Sequence, residues 1–152
     1  MSLNIGRGGR FRINIMQQMG VPTIVARRIA QDIPTLDDLH LPHLLGELCC
    51  EPRGLILVVG ATGSGKSTSL AAMMDYRNRT KEGHILTVED PIEYVHQHKK
   101  CIISQREVGT DTESFDIPLK NALRQHPDLI LVGEIRDKST MQHALNISET
   151  GH

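Results

Sequence analysis

Apolar positions follow a two-residue period near the start of the chain and then switch to alternating strand and helix spacings. Arg10-Phe11-Arg12-Ile13-Asn14-Ile15 alternates strictly, which predicts a strand with Phe11, Ile13 and Ile15 on one face and Arg10, Arg12 and Asn14 on the other. Thr23-Ile24-Val25-Ala26-Arg27-Arg28-Ile29 is a second β-branched stretch able to pair with it, although its spacing fits strand and helix alike. Two such segments are too little for a core of their own and read as the edge of a domain. Pro34-Thr35-Leu36-Asp37-Asp38-Leu39-His40 carries turn and N-cap signals, and Leu41, Leu44, Leu45 and Leu48 at i, i+3, i+4 and i+7 predict a buried helical face. This divides the chain into residues 1–34, a linker at 35–40 and a second domain at 41–152.

In the second domain strands and helices take turns. Leu55-Ile56-Leu57-Val58-Val59, a short apolar run, predicts a strand, and a helix from Ser67 places Leu70, Met73 and Met74 on one face. After Gly83, Ile85-Leu86-Thr87-Val88 predicts a strand running into Glu89-Asp90-Pro91-Ile92-Glu93. Cys101-Ile102-Ile103-Ser104 predicts another short strand, and residues 105–113 a polar, charged loop. Asp116 can cap a helix that tolerates Pro118 in its first turn and has an apolar face of Leu119, Ala122 and Leu123. Asp128-Leu129-Ile130-Leu131-Val132 predicts a buried strand, with Glu134 just past its end. Asp137 then caps a helix bearing Met141, Ala144 and Leu145. The fold class is α/β.

Composition narrows the picture. The 152 residues suit one domain with a piece of another, and 39% apolar content with only 3% aromatic residues implies an aliphatic core. A formal net charge of -1 gives no argument for nucleic acid as a partner, and Lys99-Lys100 reads as a solvated pair. Three cysteines, with Cys49 and Cys50 adjacent, make neither a disulfide framework nor a C-x-x-C half-site, which points to a reducing cytoplasm. No apolar run approaches the ~20 residues that cross a bilayer, so the expected membrane contact is through a partner rather than by insertion.

The chemistry centres on Gly60-Ala61-Thr62-Gly63-Ser64-Gly65-Lys66-Ser67-Thr68, which fits G-x-x-x-x-G-K-[ST] between a predicted strand and a predicted helix. Glycines free the backbone so that successive N–H groups converge on phosphate oxygens at a helix N-terminus. Lys66 then reaches the β and γ phosphates, and the Ser67 hydroxyl ligates Mg²⁺. The plainer alternative is a Gly/Ser loop that only joins strand to helix. Glu89 ends a strand where open α/β sheets bind ligands. Glu134, expected beside the loop's strand, can hold Mg²⁺ or polarise the attacking water. His96-Gln97-His98 offers two imidazoles to a metal but no third ligand nearby.

Four boxes then stand in the order of one family. The loop resembles its Walker A motif and Thr87-Val88-Glu89-Asp90-Pro91-Ile92-Glu93 its aspartate box. Leu131-Val132-Gly133-Glu134-Ile135-Arg136-Asp137 resembles its Walker B motif, and Glu149-Thr150-Gly151-His152 the start of its histidine box. The family is the secretion ATPase superfamily of type II secretion and type IV pili. Arg10-Phe11-Arg12-Ile13-Asn14, Gln105-Arg106-Glu107-Val108 and Asp111-Thr112-Glu113-Ser114 are similar to its pilus retraction (twitching motility) members of the PilU and PilT type.

That resemblance implies an ATP-hydrolysing motor subunit in a homo-hexamer, working with inner-membrane pilus machinery and with a related retraction ATPase as a candidate further partner. It implies the end of a PAS-like domain up to Pro34, followed by the front of a RecA-like core whose sheet is left incomplete. It implies Lys66 and Ser67 on phosphate and Mg²⁺, Glu89 as general base, Glu134 as Walker B carboxylate and His152 as γ-phosphate sensor. Arg10, Arg12 and Arg27 match arginines presented to nucleotide from the first domain. Ala61 stands where proline is frequent. Two other readings of the motifs stay open: a small-molecule kinase, which would need an acceptor lid, and a nucleotide-binding regulatory module without turnover.

Overall fold

A computed structural model describes residues 2–4, 6, 9–29 and 32–151, with the side chains of Ser2, Leu3, Asn4 and Arg10 outside the description. His152, the expected phosphate sensor, lies outside the described residues. Strands β1 (Ser2–Asn4), β2 (Arg10–Gln18) and β3 (Val21–Arg28) form an antiparallel sheet in that order. The stretch whose spacing fitted strand or helix is therefore a strand, turned back on β2 through Met19-Gly20, both at positive φ. Its register sets Arg12 opposite Arg27 and Phe11 opposite Arg28.

The linker is tied by a reciprocal cap: Thr35 N–H donates to Asp38 Oδ2 (2.9 Å), and Asp38 N–H to Thr35 Oγ1 (3.1 Å). Helix α1 spans only Leu44–Leu48, shorter than the leucine spacing implied. Leu41 and Leu45 pack into the core with Leu36 and Met73, but Leu44 is 59% exposed and Leu48 is 39% exposed. Little more than one turn cannot carry a face from i to i+7.

Helix α2 (Lys66–Thr80), strands β4 (Gly83–Glu89) and β5 (Cys101–Glu107), helix α3 (Asp116–Ala122), strand β6 (Leu129–Val132) and helix α4 (Lys138–Glu149) build the rest. The sheet order is β5-β4-β6, all parallel. Strand alternation sorts the two faces. Ile85, Ile103, Leu129 and Leu131 pack on Met74 of α2, whereas Val88, Ile130 and Val132 pack with Leu119 of α3 and Ile147 of α4.

Three expectations need correction. Residues 55–59 form no strand, and Leu57 (54%) and Val59 (89%) are well exposed. An extended run gains its backbone bonds only from a neighbouring strand, and here a cleft of about 700 Å³ lies between this run, β6 and α4. The strand leading to Glu134 consequently pairs with β4, which carries Glu89, and not with the run before the glycine loop. Second, Gln105, Arg106 and Glu107 extend β5 instead of opening a loop. Their polar groups find partners in place: buried Glu107 accepts Ile92 N–H (3.3 Å) and the Thr110 hydroxyl (3.3 Å). Third, Asp116 lies inside the first turn of α3 behind Phe115 and caps nothing, because Ser139 Oγ of α4 donates to its Oδ1 (2.9 Å). Asp137, by contrast, caps α4 as expected, accepting Thr140 N–H at 2.7 Å.

Candidate active site

The glycine loop delivers the chain into α2 through Gly65 at φ 93°, a left-handed angle that favours glycine, and Gly63 shares it at φ 78°. A Cβ at either glycine would meet nothing within 4 Å, so this side of the loop is open to a ligand. No side chain caps α2 and its first turn holds no acidic residue, which leaves N–H groups and the positive helix end unclaimed. Lys66 Nζ folds back across the loop to donate to the carbonyls of Gly60 (2.9 Å) and Ala61 (2.8 Å). Ser67 is exposed at the start of α2, and the Thr68 hydroxyl lies 3.1 Å from Tyr94 Oη. Thr62 and Ser64 are exposed in the loop. The donors and the open glycines fit polyphosphate.

Glu89 ends β4 and is 8% exposed. Thr87 Oγ1 donates to its Oε1 at 2.6 Å and Gln105 Nε2 to the same oxygen at 3.2 Å. Burial pushes the Glu89 carboxyl up from the usual glutamate range, while these bonds and the Glu93 backbone N–H oppose the rise. A buried carboxylate with raised proton affinity is suited to accept a proton. Glu134 follows the end of β6, where Gly133 N–H donates to Val88 O (2.8 Å). A Cβ on Gly133 would stand 3.1 Å from Glu89 Cα, tighter than most such contacts, so a side chain here would push the ends of β4 and β6 apart by a few tenths of an ångström. Arg136 spans the two acidic boxes: its Nη2 lies 2.7 Å from Glu134 Oε1 and its Nη1 3.8 Å from Asp90 Oδ2.

Ser67 and Glu134 supply hard oxygen donors, the type Mg²⁺ takes, and that ion usually adds substrate phosphates and water to one or two protein ligands. Among the described residues, no group of three or more His, Cys, Asp or Glu could hold a metal. His98 Nδ1 accepts Ile103 N–H (3.0 Å) and His96 is buried, so the two histidines do not form a pair of ligands. Lys99 is engaged as well, in an ion pair with buried Asp75. Arg12 and Arg27 are exposed, and no hydrogen bond or ion pair among the described residues joins them to the loop, Glu89 or Glu134. Sequence reading missed Thr87, Gln105, Tyr94 and Arg136 as site residues. The signal available for Gln105 was its place in Gln105-Arg106-Glu107-Val108, quoted for likeness but given no role.

The sequence matches the family described as Type II/IV secretion system protein over residues 1–152. It is 56% identical over 144 residues to the type IV pilus ATPase PilU of Pseudomonas aeruginosa, covering 95% of this chain and 38% of that protein. It is 52% identical over 143 residues to the PilT ATPase of the same organism, covering 94% and 42%. Among solved structures it superposes on the pilus retraction motor PilT with bound ADP at a TM-score of 0.97, with 52% identity, covering 100% of this chain and 44% of that one. The chain thus spans about two fifths of the length of these relatives. The α/β fold with its parallel RecA-like sheet follows from the same superposition.

Proposed function

The chain belongs to the family of type II/IV secretion system proteins, and we propose that it is the nucleotide-binding and catalytic part of an ATP-hydrolysing motor subunit that powers type IV pilus retraction and twitching motility. The observation that carries this reading is an open, uncapped glycine loop tied through Tyr94 and Gln105 to a buried, hydrogen-bonded Glu89 at the end of β4. The loop N–H groups and Lys66 bind the phosphates of ATP. Glu89 accepts a proton from water as the water oxygen bonds to the γ phosphorus. The bond from that phosphorus to the β,γ-bridging oxygen breaks, and its electron pair leaves with ADP. Ser67 and Glu134 would hold Mg²⁺, which would supply positive charge to offset that of the phosphates. Arg136, paired to Glu134 and Asp90, keeps the two acidic boxes in one arrangement.

Residues up to about 34 close a PAS-like domain that brings Arg10, Arg12 and Arg27 to the nucleotide when domains close, and His152 reads the γ phosphate. The intact protein acts as a homo-hexamer on the cytoplasmic side of the inner membrane, engaging pilus machinery and a related retraction ATPase. No helix among the described residues is long and apolar enough to cross a membrane, so that attachment is assigned to partners.

The test is phosphate release set against phosphate transfer to added small-molecule acceptors, in the intact protein and in its Arg12→Ala, Arg27→Ala double variant. The motor reading expects release to water without transfer, lowered in the double variant by ~10³ because guanidinium groups stabilise charge on a transferred phosphoryl group. Transfer without release would make it a kinase, and undiminished release in the double variant would return the arginines to the surface.

A further inference from the structure

The surroundings of Glu89 are more ordered than a strand end requires. Alternation puts Thr87 and Glu89 on the sheet face that carries Ile85 against α2, and parallel register sets Gln105 of β5 beside Thr87 on that face. Thr87 is 0% exposed, where a buried hydroxyl is costly unless bonded, and its hydroxyl bonds Glu89 Oε1. Gln105 is fixed by three bonds. Its Oε1 accepts His96 N–H at 2.8 Å, and its Nε2 donates to Tyr94 O at 2.9 Å and to Glu89 Oε1 at 3.2 Å. The amide cannot be turned over, because both groups that meet Nε2 only accept and the group that meets Oε1 only donates.

The same segment is anchored to α2 at both ends. Tyr94 Oη meets Thr68 in the first turn after the glycine loop. Asn78 Nδ2 donates to Gln97 O (2.8 Å), and Asn78 Oδ1 accepts the N–H groups of Lys99 (3.2 Å) and Cys101 (3.1 Å). Glu89, Gln105 and the phosphate loop therefore belong to one connected frame.

We propose that Thr87 and Gln105 are positioning residues for hydrolysis, holding Glu89 by Oε1 so that Oε2 is the oxygen that takes the proton of the attacking water. This rests on the reading of Glu89 as the base. Both side-chain donors land on one oxygen, and the Glu93 backbone N–H adds a bond to the same carboxylate, so the carboxylate cannot turn about its last bond without losing them. Misplacement of a reacting group by ~1 Å can cost ~10² in rate. Binding of ATP, which the loop performs, does not involve either residue.

The test uses the intact protein with Thr87→Val, Thr87→Ser, Gln105→Leu and, beside them, Glu89→Gln. Valine keeps the shape of threonine and loses the hydroxyl, while serine keeps the hydroxyl and loses a methyl group. Measured quantities are kcat, KM, ATP affinity and melting temperature. Positioning predicts that Thr87→Val and Gln105→Leu lower kcat by roughly 10- to 100-fold with ATP affinity unchanged. Thr87→Ser then keeps kcat within a few-fold of the parent despite a lower melting temperature. A packing role predicts the reverse order, with valine harmless and serine worse, and that order overturns the proposal. Parental turnover in both Thr87→Val and Gln105→Leu, with Glu89→Gln still slow, overturns the positioning alone. Parental turnover in Glu89→Gln overturns the base assignment beneath it.

Discussion

The glycine loop and the surroundings of Glu89 are built by opposite means. The loop is exposed, local and mostly backbone: nine consecutive residues, two of them left-handed glycines, end at an uncapped helix. The pocket is buried, assembled from separate strands, and depends on side chains meeting across a parallel register. Binding by the loop needs only a short sequence in the right conformation. The proton transfer proposed for Glu89 needs the sheet. Changes in the loop should therefore strike affinity first, and changes in the pocket should strike turnover first.

The sharpest break is expected from Lys66→Ala in the intact protein. Its ammonium, now folded onto the Gly60 and Ala61 carbonyls, is the local positive charge of the loop, and its removal should abolish most ATP affinity and turnover together. Equilibrium binding of ATP checks it, and unaltered affinity would detach the loop from the nucleotide. Next comes Gly133→Ala. The added Cβ would press on the Glu89 backbone from 3.1 Å, so kcat should fall by about 10-fold or more while ATP affinity holds. Equal loss of affinity would show that loop and pocket are not separable.

A smaller effect lies in pH. Glu89 must be ionised to accept a proton, and burial raises its proton affinity, so the acid limb of kcat should lie above the ordinary glutamate range. A limb within that range would place the base elsewhere. The same shift has a sign for stability. A carboxyl raised in the folded state contributes stability below its unfolded value that is lost as pH rises through the folded one. Glu89→Gln should therefore melt slightly higher than the parent near neutral pH, an effect of at most a few degrees for a small domain, and a lower melting point would contradict the burial argument.

What was legible in the sequence follows the same division. Gly60-Ala61-Thr62-Gly63-Ser64-Gly65-Lys66 announces its own conformation because every requirement is local, and the Asp137 cap was readable for that reason. The partners of Glu89 were not. Gln105 stands 16 residues away and reads as part of a polar loop until register sets it beside Thr87. Residues 55–59 and the leucines around α1 show the converse. Their apolar spacing is real, but a strand also needs a neighbour to bond and a helical face needs enough turns to complete it.

Single-turnover hydrolysis of ATP by Glu89→Gln in the intact protein, with ATP affinity measured on the same sample, tests the separation of binding from proton transfer most directly. The loop should hold ATP with parental affinity while hydrolysis slows by ~10² to 10⁴, the range expected for loss of a general base. Hydrolysis at the parental rate, or loss of ATP binding with it, would contradict the division of labour between the loop and the pocket.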